Sequence, residues 1–131
     1  MPLGLIADCT CGIIGGNQRI VGGQEAAIKE FPWMVSLRYL PWSYNKNWCG
    51  AALISDRWII SAFHCLQDRD NASDWRASLG DHDHDTTDET DHIDVAIIQI
   101  ISHPAYSDYI YNDIALLKME KKINFFENPG I

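Results

Sequence analysis

Two side chains suited to acid–base chemistry stand at the ends of apolar runs. In "WIISAFHC" (58–65) an apolar run ends at His64, which directly precedes Cys65. Imidazole suits proton transfer because its unperturbed pKa lies close to neutral pH. Asp113 heads "NDIALLK" (112–118), where a carboxylate is costly to bury without a hydrogen-bonding partner. Taken singly, each is ordinary: a satisfied core histidine, and a turn or capping aspartate. Whether they act together depends on the elements that carry them.

Composition limits the class of protein. The chain has 131 residues, enough for one domain with a real core. Hydrophobic residues make up 47% and charged residues 21%, which is typical of a globular protein. No apolar stretch approaches the ~20 residues that span a bilayer, so we expect no membrane span. The formal net charge of −8 argues against nucleic acid as a partner.

Short apolar runs separated by turn formers predict the elements. Candidate strands lie at 34–40, 49–55, 57–61, 76–80, 92–102 and 113–119. In the first of them Val35, Leu37 and Tyr39 alternate with Ser36 and Arg38, so the two sets face opposite sides. A polar turn at 55–56 predicts a hairpin between the second and third strands. One helix-prone stretch, 25–30, is cut short by a proline. The pattern therefore predicts an all-β barrel or sandwich.

The cysteines and one sequon indicate an oxidising environment. The four cysteines, at 9, 11, 49 and 65, form no C-x-x-C pair, so a zinc ribbon or a thioredoxin-like motif has little support. Cys49 and Cys65 flank apolar segments, which suits a structural disulfide worth roughly 3 kcal/mol. Asn71 opens a glycosylation sequon with Ala72 and Ser73. Together they favour an extracellular protein. "MPLGLIADCTC" lacks the features of a signal peptide, so we expect an upstream start or a processed chain.

Three motifs in a fixed order carry a family resemblance. "RIVGG" (19–23), "SAFHC" (61–65) and "NDIALLK" (112–118) together resemble the chymotrypsin/trypsin family of serine endopeptidases. The resemblance spans about residues 9–131 and covers the first half of that family's domain. It implies a propeptide or activation segment over 1–19 and, over 20–131, the first antiparallel Greek-key β-barrel of a two-barrel fold. The second barrel is missing from these residues.

The resemblance also implies residue roles. Arg19–Ile20 would be the bond cut to activate a zymogen, with Gly22 and Gly23 giving the freed end its mobility. His64 would be the general base of a Ser-His-Asp triad, and Asp113 would fix its tautomer and orientation. A Cys49–Cys65 bridge would tie the turn of the histidine to a neighbouring strand. No cofactor would be required for catalysis.

The chain departs from the family pattern in several places. Phe63 stands where alanine usually precedes the histidine, and Ala51-Ala52 replaces the usual glycine-serine. No Gly-Asp-Ser-Gly-Gly stretch, which holds the family's nucleophile, occurs in the sequence. We therefore predict that the 131-residue chain alone does not hydrolyse peptide bonds. In the family the cysteine before the activation site pairs with one in the linker between barrels, so one of Cys9 and Cys11 is expected to be unpaired here.

An acidic tract, 81–92, occupies the position of the family's calcium loop. Carboxylate and carbonyl oxygens suit Ca²⁺, which takes about six to eight ligands. The residues that the resemblance assigns to calcium are Asp81, Asp83, Thr86, Asp88 and Asp91. Two alternatives to calcium stay open. The histidines of the tract could bind a transition metal such as Zn²⁺, or the tract could be a solvated acidic loop that binds no metal. The histidines in question are His82, His84 and His92.

These observations predict a secreted, trypsin-like serine endopeptidase zymogen as the parent protein. Its expected partners are an activating trypsin-like protease, protein or peptide substrates and protein inhibitors of proteases. The main alternative is a non-catalytic serine protease homologue that binds or regulates. A natural short form acting as a decoy is a third.

Overall fold

Six antiparallel strands close into a barrel in the computed structural model, which describes residues 31–41, 48–80, 93–107 and 110–124. The strands are β1 (Met34–Tyr39), β2 (Cys49–Leu53), β3 (Trp58–Ser61), β4 (Trp75–Leu79), β5 (Ile93–Ser102) and β6 (Ala115–Met119). All six predicted strands are present, with bounds that differ by a residue or two. The described residues contain two 3₁₀ turns, Phe63–Cys65 and Ala72–Asp74, and no α-helix. The helix-prone stretch 25–30 lies outside them.

The strand order around the barrel is β1-β2-β3-β6-β5-β4. Strands β4, β5 and β6 follow one another as antiparallel neighbours, and β3 lies beside β6, which is a Greek-key arrangement. The pairing of β1 with β4 closes the barrel. The all-β barrel predicted from the sequence is thus confirmed.

The pairing of β3 with β6 matters most for the site. Ser61, the last residue of β3, lies opposite Ala115, the first residue of β6. The strands run antiparallel, so the chain leaving β3 and the chain entering β6 meet at the same end of the barrel. The segments that carry His64 and Asp113 are therefore neighbours in space.

Alternate residues of the strands fill the interior. Trp75, Leu37, Ile59 and Leu117 are fully buried, as the period-2 pattern of apolar residues requires. Burial of a large apolar side chain contributes about 1.5–3 kcal/mol. Ser36 departs from simple alternation, since it lies between two core positions of β1 and is nevertheless only 4% exposed.

The hairpin predicted between β2 and β3 is confirmed. Ser55 caps the turn: its Oγ accepts hydrogen bonds from the backbone N–H of Trp58 at 3.2 Å and of Arg57 at 3.4 Å. Ile54 N–H donates to the Trp58 carbonyl at 3.0 Å. The serine hydroxyl satisfies amides that the tight turn leaves unpaired.

Within the described residues no helix is long and apolar enough to cross a membrane.

Candidate active site

His64 and Asp113 are in direct contact at the end of the barrel where β3 leaves and β6 enters. Asp113 Oδ2 lies 2.6 Å from His64 Nδ1, and Asp113 Oδ1 accepts a hydrogen bond from the backbone N–H of His64 at 2.7 Å. One carboxylate thus contacts both the ring and the backbone of the same histidine. Forty-nine positions separate the two residues in sequence, so only the barrel brings them together.

His64 lies in a 3₁₀ turn beyond β3, and not at the strand end itself. The turn is closed by backbone hydrogen bonds from Leu66 N–H at 2.8 Å and Gln67 N–H at 3.0 Å, both to the Phe63 carbonyl. A single turn of this kind has poor hydrogen-bond geometry and needs external support. The residues beside His64 supply that support.

A disulfide anchors the turn on one side. Cys65 is bonded to Cys49, the first residue of β2, with 6.3 Å between their Cα atoms. The indole N–H of Trp48 also donates to the Cys65 carbonyl at 3.2 Å. The predicted Cys49–Cys65 bridge is confirmed, and it explains why the histidine and the cysteine adjoin.

Local backbone geometry presents Asp113 to the histidine. Asn112 has a positive φ of 56°, in the left-handed region that asparagine tolerates better than most residues. Ile114 N–H donates to the Asn112 carbonyl at 2.8 Å, which makes a tight bend centred on Asp113. The Asn112 side chain donates to the Ala105 carbonyl at 2.9 Å and holds the bend against the preceding segment. Asp113 therefore precedes β6 on a fixed turn.

The surroundings keep Asp113 ionised. Desolvation by itself raises the pKa of its carboxyl. The hydrogen bond from the His64 ring, the bond from the His64 backbone and the positive charge of the protonated ring outweigh that effect, and the Phe63 backbone N–H adds to them. The pKa of Asp113 therefore lies below its ordinary value. A carboxylate is a pure acceptor, so Nδ1 of the neutral imidazole must carry the proton and Nε2 is left with a free lone pair.

The other face of the imidazole is accessible. The His64 side chain is 50% exposed, whereas that of Asp113 is 21% exposed. Within the described residues, the contact made by Nε2 is with Cys65 Sγ at 3.8 Å, and sulfur is a weak acceptor. The half-exposed ring thus carries a nitrogen with an unshared lone pair, and Asp113 holds the Nδ1 side of the ring. Chemically, this nitrogen can take a proton from a hydroxyl that approaches it and can return that proton to a leaving group.

The remaining predicted site residues divide into two groups. Asn71 is exposed and caps the 3₁₀ turn Ala72–Asp74, where its Oδ1 accepts from the Ser73 hydroxyl at 2.9 Å and from the Ser73 N–H at 3.4 Å. Outside the described residues lie the activation bond Arg19–Ile20, the cysteines at 9 and 11, and the proposed calcium ligands with their histidines in 81–92. Among the residues that are described, no group of three metal-ligating side chains comes together.

Two residues near the site were not singled out from the sequence. Tyr106, in the connection between β5 and β6, contacts the ring of Phe63, and its hydroxyl contacts Gln67. The unusual phenylalanine before His64 was visible in the sequence, but neither partner carries a local motif. No spacing rule relates 63 to 106 until the strand order is known.

Comparison with known proteins agrees with the geometry. The model of the trypsin family, described as "Trypsin", matches residues 20–129. The chain is 37% identical to transmembrane protease serine 9 of Rattus norvegicus over 91% of its length, which is 11% of that protein. It is 36% identical to serine protease ea of Drosophila melanogaster over 88% of its length, 34% of that protein. It is 37% identical to venom serine protease 34 of Apis mellifera over 94% of its length, 31% of that protein.

A closed antiparallel barrel with a histidine–aspartate pair at one end is the architecture of one trypsin-like barrel. The chain belongs to the trypsin family of serine proteases. It spans about a third or less of the length of the relatives named above.

Proposed function

We propose that the protein to which this chain belongs is a serine endopeptidase that cleaves peptide bonds in protein substrates. One observation carries the proposal: both carboxylate oxygens of Asp113 are bound to His64, which leaves the Nε2 of a half-exposed ring with its lone pair available for a proton. A purely structural histidine would not need its ring tautomer and its backbone to be fixed by the same side chain. Membership of the family supports the same reaction class.

Each residue has a defined role in this proposal. His64 Nε2 takes the proton of a serine hydroxyl as that oxygen attacks the scissile carbonyl, and returns it to the leaving amine. Asp113 keeps the Nδ1–H tautomer in place and stabilises the imidazolium that forms. The serine and the donors for the oxyanion must come from residues other than these, because no Gly-Asp-Ser-Gly-Gly stretch occurs in the chain.

The chain alone should therefore be inactive. A serine-directed phosphonate labels an activated serine by forming a covalent bond to its oxygen. We expect no labelling of the 131-residue chain at neutral pH, and labelling of the intact parent protein after activation. Labelling of the 131-residue chain alone would show that it contains an activated serine, and would contradict the proposal that the nucleophile lies outside these residues.

The proposed function is tested on the intact parent protein with Asp113→Asn. The amide keeps the shape of the side chain but forces the wrong imidazole tautomer, which in the Ser-His-Asp template lowers kcat about 10⁴-fold. Asp70→Asn makes the same chemical change on an exposed loop and is the matched control. Equal peptidase activity of the two variants would overturn the proposal, as would absence of any peptidase activity in the activated parent.

Activation and location follow from sequence features that lie largely outside the described residues. We propose a zymogen cut at Arg19–Ile20 by a trypsin-like protease, and secretion of the protein. The Cys49–Cys65 disulfide and the exposed sequon at Asn71 support an oxidising, extracellular setting. Protein inhibitors of proteases would be further partners. Replacement of Arg19 by glutamine should abolish conversion by trypsin and leave the barrel intact.

A non-catalytic homologue remains the alternative function. It would keep the barrel and the His64–Asp113 contact without a nucleophile, and would act as a binding or regulatory protein. The coding sequence of the whole parent protein distinguishes the two: a Gly-Asp-Ser-Gly-Gly stretch supports the enzyme, and glycine in place of the serine supports the homologue.

For the acidic tract 81–92 we propose a structural calcium site. The proposed donors are carboxylate and backbone carbonyl oxygens, which suit Ca²⁺. Leu79 and Ile93, which flank the tract, are paired across β4 and β5. Millimolar Ca²⁺ should raise the melting temperature of the chain, whereas Mg²⁺ should not. No thermal shift and no heat of binding with Ca²⁺ would leave a solvated loop, and a response to Zn²⁺ alone would favour the histidines.

A further inference from the structure

A second contact joins the two segments that the His64–Asp113 pair joins. Phe63, the first residue of the 3₁₀ turn, packs against Tyr106 in the β5–β6 connection. The ring centroids are 4.7 Å apart and the planes are inclined by 79°. This is the edge-to-face geometry that aromatic pairs prefer. Phe63 is half-buried and also packs against the core.

Tyr106 contacts the turn at its far end too. Its hydroxyl donates to Gln67 Oε1 at 2.6 Å, and the Gln67 backbone N–H donates to the Phe63 carbonyl at 3.0 Å. The tyrosine therefore bridges the residues on both sides of His64. The ring meets Phe63 on one side, and the hydroxyl meets Gln67 on the other.

The segment of Tyr106 is in turn tied to Asp113. Asn112, adjacent to Asp113, donates through its side chain to the carbonyl of Ala105, adjacent to Tyr106. The Tyr106 N–H donates to the His103 carbonyl at 3.1 Å. Contacts thus run in a closed cycle from Phe63 to Tyr106, through 105 and 112 to Asp113, and back through His64.

We propose that Phe63 is a positioning residue for the His64–Asp113 pair. Its ring, seated on Tyr106, holds the 3₁₀ turn against the segment that presents the carboxylate. The disulfide at Cys65 anchors the turn to β2 but makes no connection to the β5–β6 side. Phe63 supplies that second anchor. The inference rests on the proposed function only for its consequence in catalysis, since the geometry itself is independent of any reaction.

The size of the expected effect follows from the contact. An edge-to-face aromatic pair changes a local equilibrium by roughly 2- to 10-fold. Loss of the pair should let the turn open more often without opening the barrel. The backbone N–H of His64 reports that opening directly, because it is bound to Asp113 Oδ1. Leu117, fully buried in the middle of β6, reports opening of the barrel as a whole.

The test is amide hydrogen exchange by NMR on the full 131-residue chain. Phe63→Ala introduces the residue that the family usually has here, so the variant should fold. We expect it to accelerate exchange of the His64 amide roughly 2- to 10-fold relative to Leu117. Phe63→Tyr keeps the ring, so the exchange rate of the His64 amide relative to that of Leu117 should stay at its wild-type value. Phe31→Ala removes a ring from the edge-to-face pair with Trp33 and, as the matched control, should leave the His64 ratio unchanged.

A second variant covers a failure of Phe63→Ala to fold. Phe63→Leu keeps a large apolar side chain against the core and removes the edge-to-face contact with Tyr106, so it should accelerate His64 exchange by a smaller factor. Unchanged His64 exchange in the folded variants, or exchange that rises in step with Leu117, would overturn the proposal. If His64 exchange responds as expected while the activated parent cleaves no peptide, the positioning role stands and the proposed function fails.

Discussion

Asp113 binds His64 twice, through Oδ2 to the ring Nδ1 and through Oδ1 to the backbone N–H. The two bonds set the orientation of the ring and the position of the turn with one carboxylate. They also make the carboxylate a source of stability, because its charged form is the one that is bound. The pH dependence of stability should therefore reveal the pair even where no reaction can be measured.

Asp113→Asn should lose stability in a pH-dependent way. The pKa of Asp113 is depressed in the folded chain, so its contribution is fully present above the unfolded value of about 3.9 and is lost as pH falls through the folded pKa. The difference in stability between wild type and the variant should therefore be present above about pH 4 and should shrink as the pH falls further. Urea unfolding at a series of pH values measures it. A difference that grows on acidification would contradict this assignment.

Removal of the Cys49–Cys65 bridge should cost about 3 kcal/mol of unfolding free energy. The residues are 16 apart in sequence, so the bridge closes a loop of moderate length in the unfolded chain. The double variant Cys49→Ala/Cys65→Ala is compared by urea unfolding with a background in which Cys9 and Cys11 are serine. Replacement of those two cysteines should leave the described barrel unchanged. Equal midpoints for bridged and unbridged chains would show that the disulfide constrains little.

Ser36 and Ser78 lie directly opposite each other on β1 and β4 but differ in hydrogen bonding. Ser78 donates its hydroxyl to Asp94, whereas the buried Ser36 Oγ has no partner among the described residues. Ser78→Ala should cost about 0.5–1.5 kcal/mol, and Ser36→Ala should be neutral or stabilising because it removes an unsatisfied group. Thermal unfolding of the two matched variants decides this. A larger loss of stability in Ser36→Ala than in Ser78→Ala would show that the Ser36 hydroxyl, and not that of Ser78, makes the stabilising hydrogen bond.

Asn71 should carry a glycan when the chain is made in a eukaryotic secretory system. Its side chain lies on an exposed turn, and Ser73 completes the acceptor sequence. Ser73→Ala removes the hydroxyl that the acceptor sequence requires and that donates a hydrogen bond to Asn71 Oδ1, so the glycan should be absent. Mass spectrometry before and after treatment with a peptide N-glycosidase measures occupancy. Asn71→Gln removes the glycosylated residue itself and is the control. A glycan that persists in this variant must be attached at another residue.

Much of the fold was predictable because strands leave a local pattern. The alternation through Val35 and Leu37 and the turn formers at 55–56 predicted β1 and the β2–β3 hairpin, and both are confirmed. The same alternation placed Ser36 on the opposite face from those core residues. The burial of Ser36 was not predictable, because alternation assigns a residue to one face of a strand but does not show which other segments cover that face.

The site was predictable only in part, for a similar reason. The motifs around His64 and Asp113 identified both residues, and the barrel brings them into contact. The partner of Phe63 depends on the path of the β5–β6 connection, which no short motif encodes. The contact of Tyr106 with Phe63 therefore depends on the register between Ser61 and Ala115, which places the turn after β3 beside the β5–β6 connection.

That same register has a consequence for the order of folding. The last residue of β3 pairs with the first residue of β6, although β4 and β5 lie between them in sequence. Such non-local pairings form slowly, because the conformational entropy of the intervening chain is lost before the contacts are gained. His64 and Asp113 can meet only after that pairing is made. The contact between His64 and Asp113 is thus a late product of folding, because it depends on a pairing between strands that lie far apart in sequence.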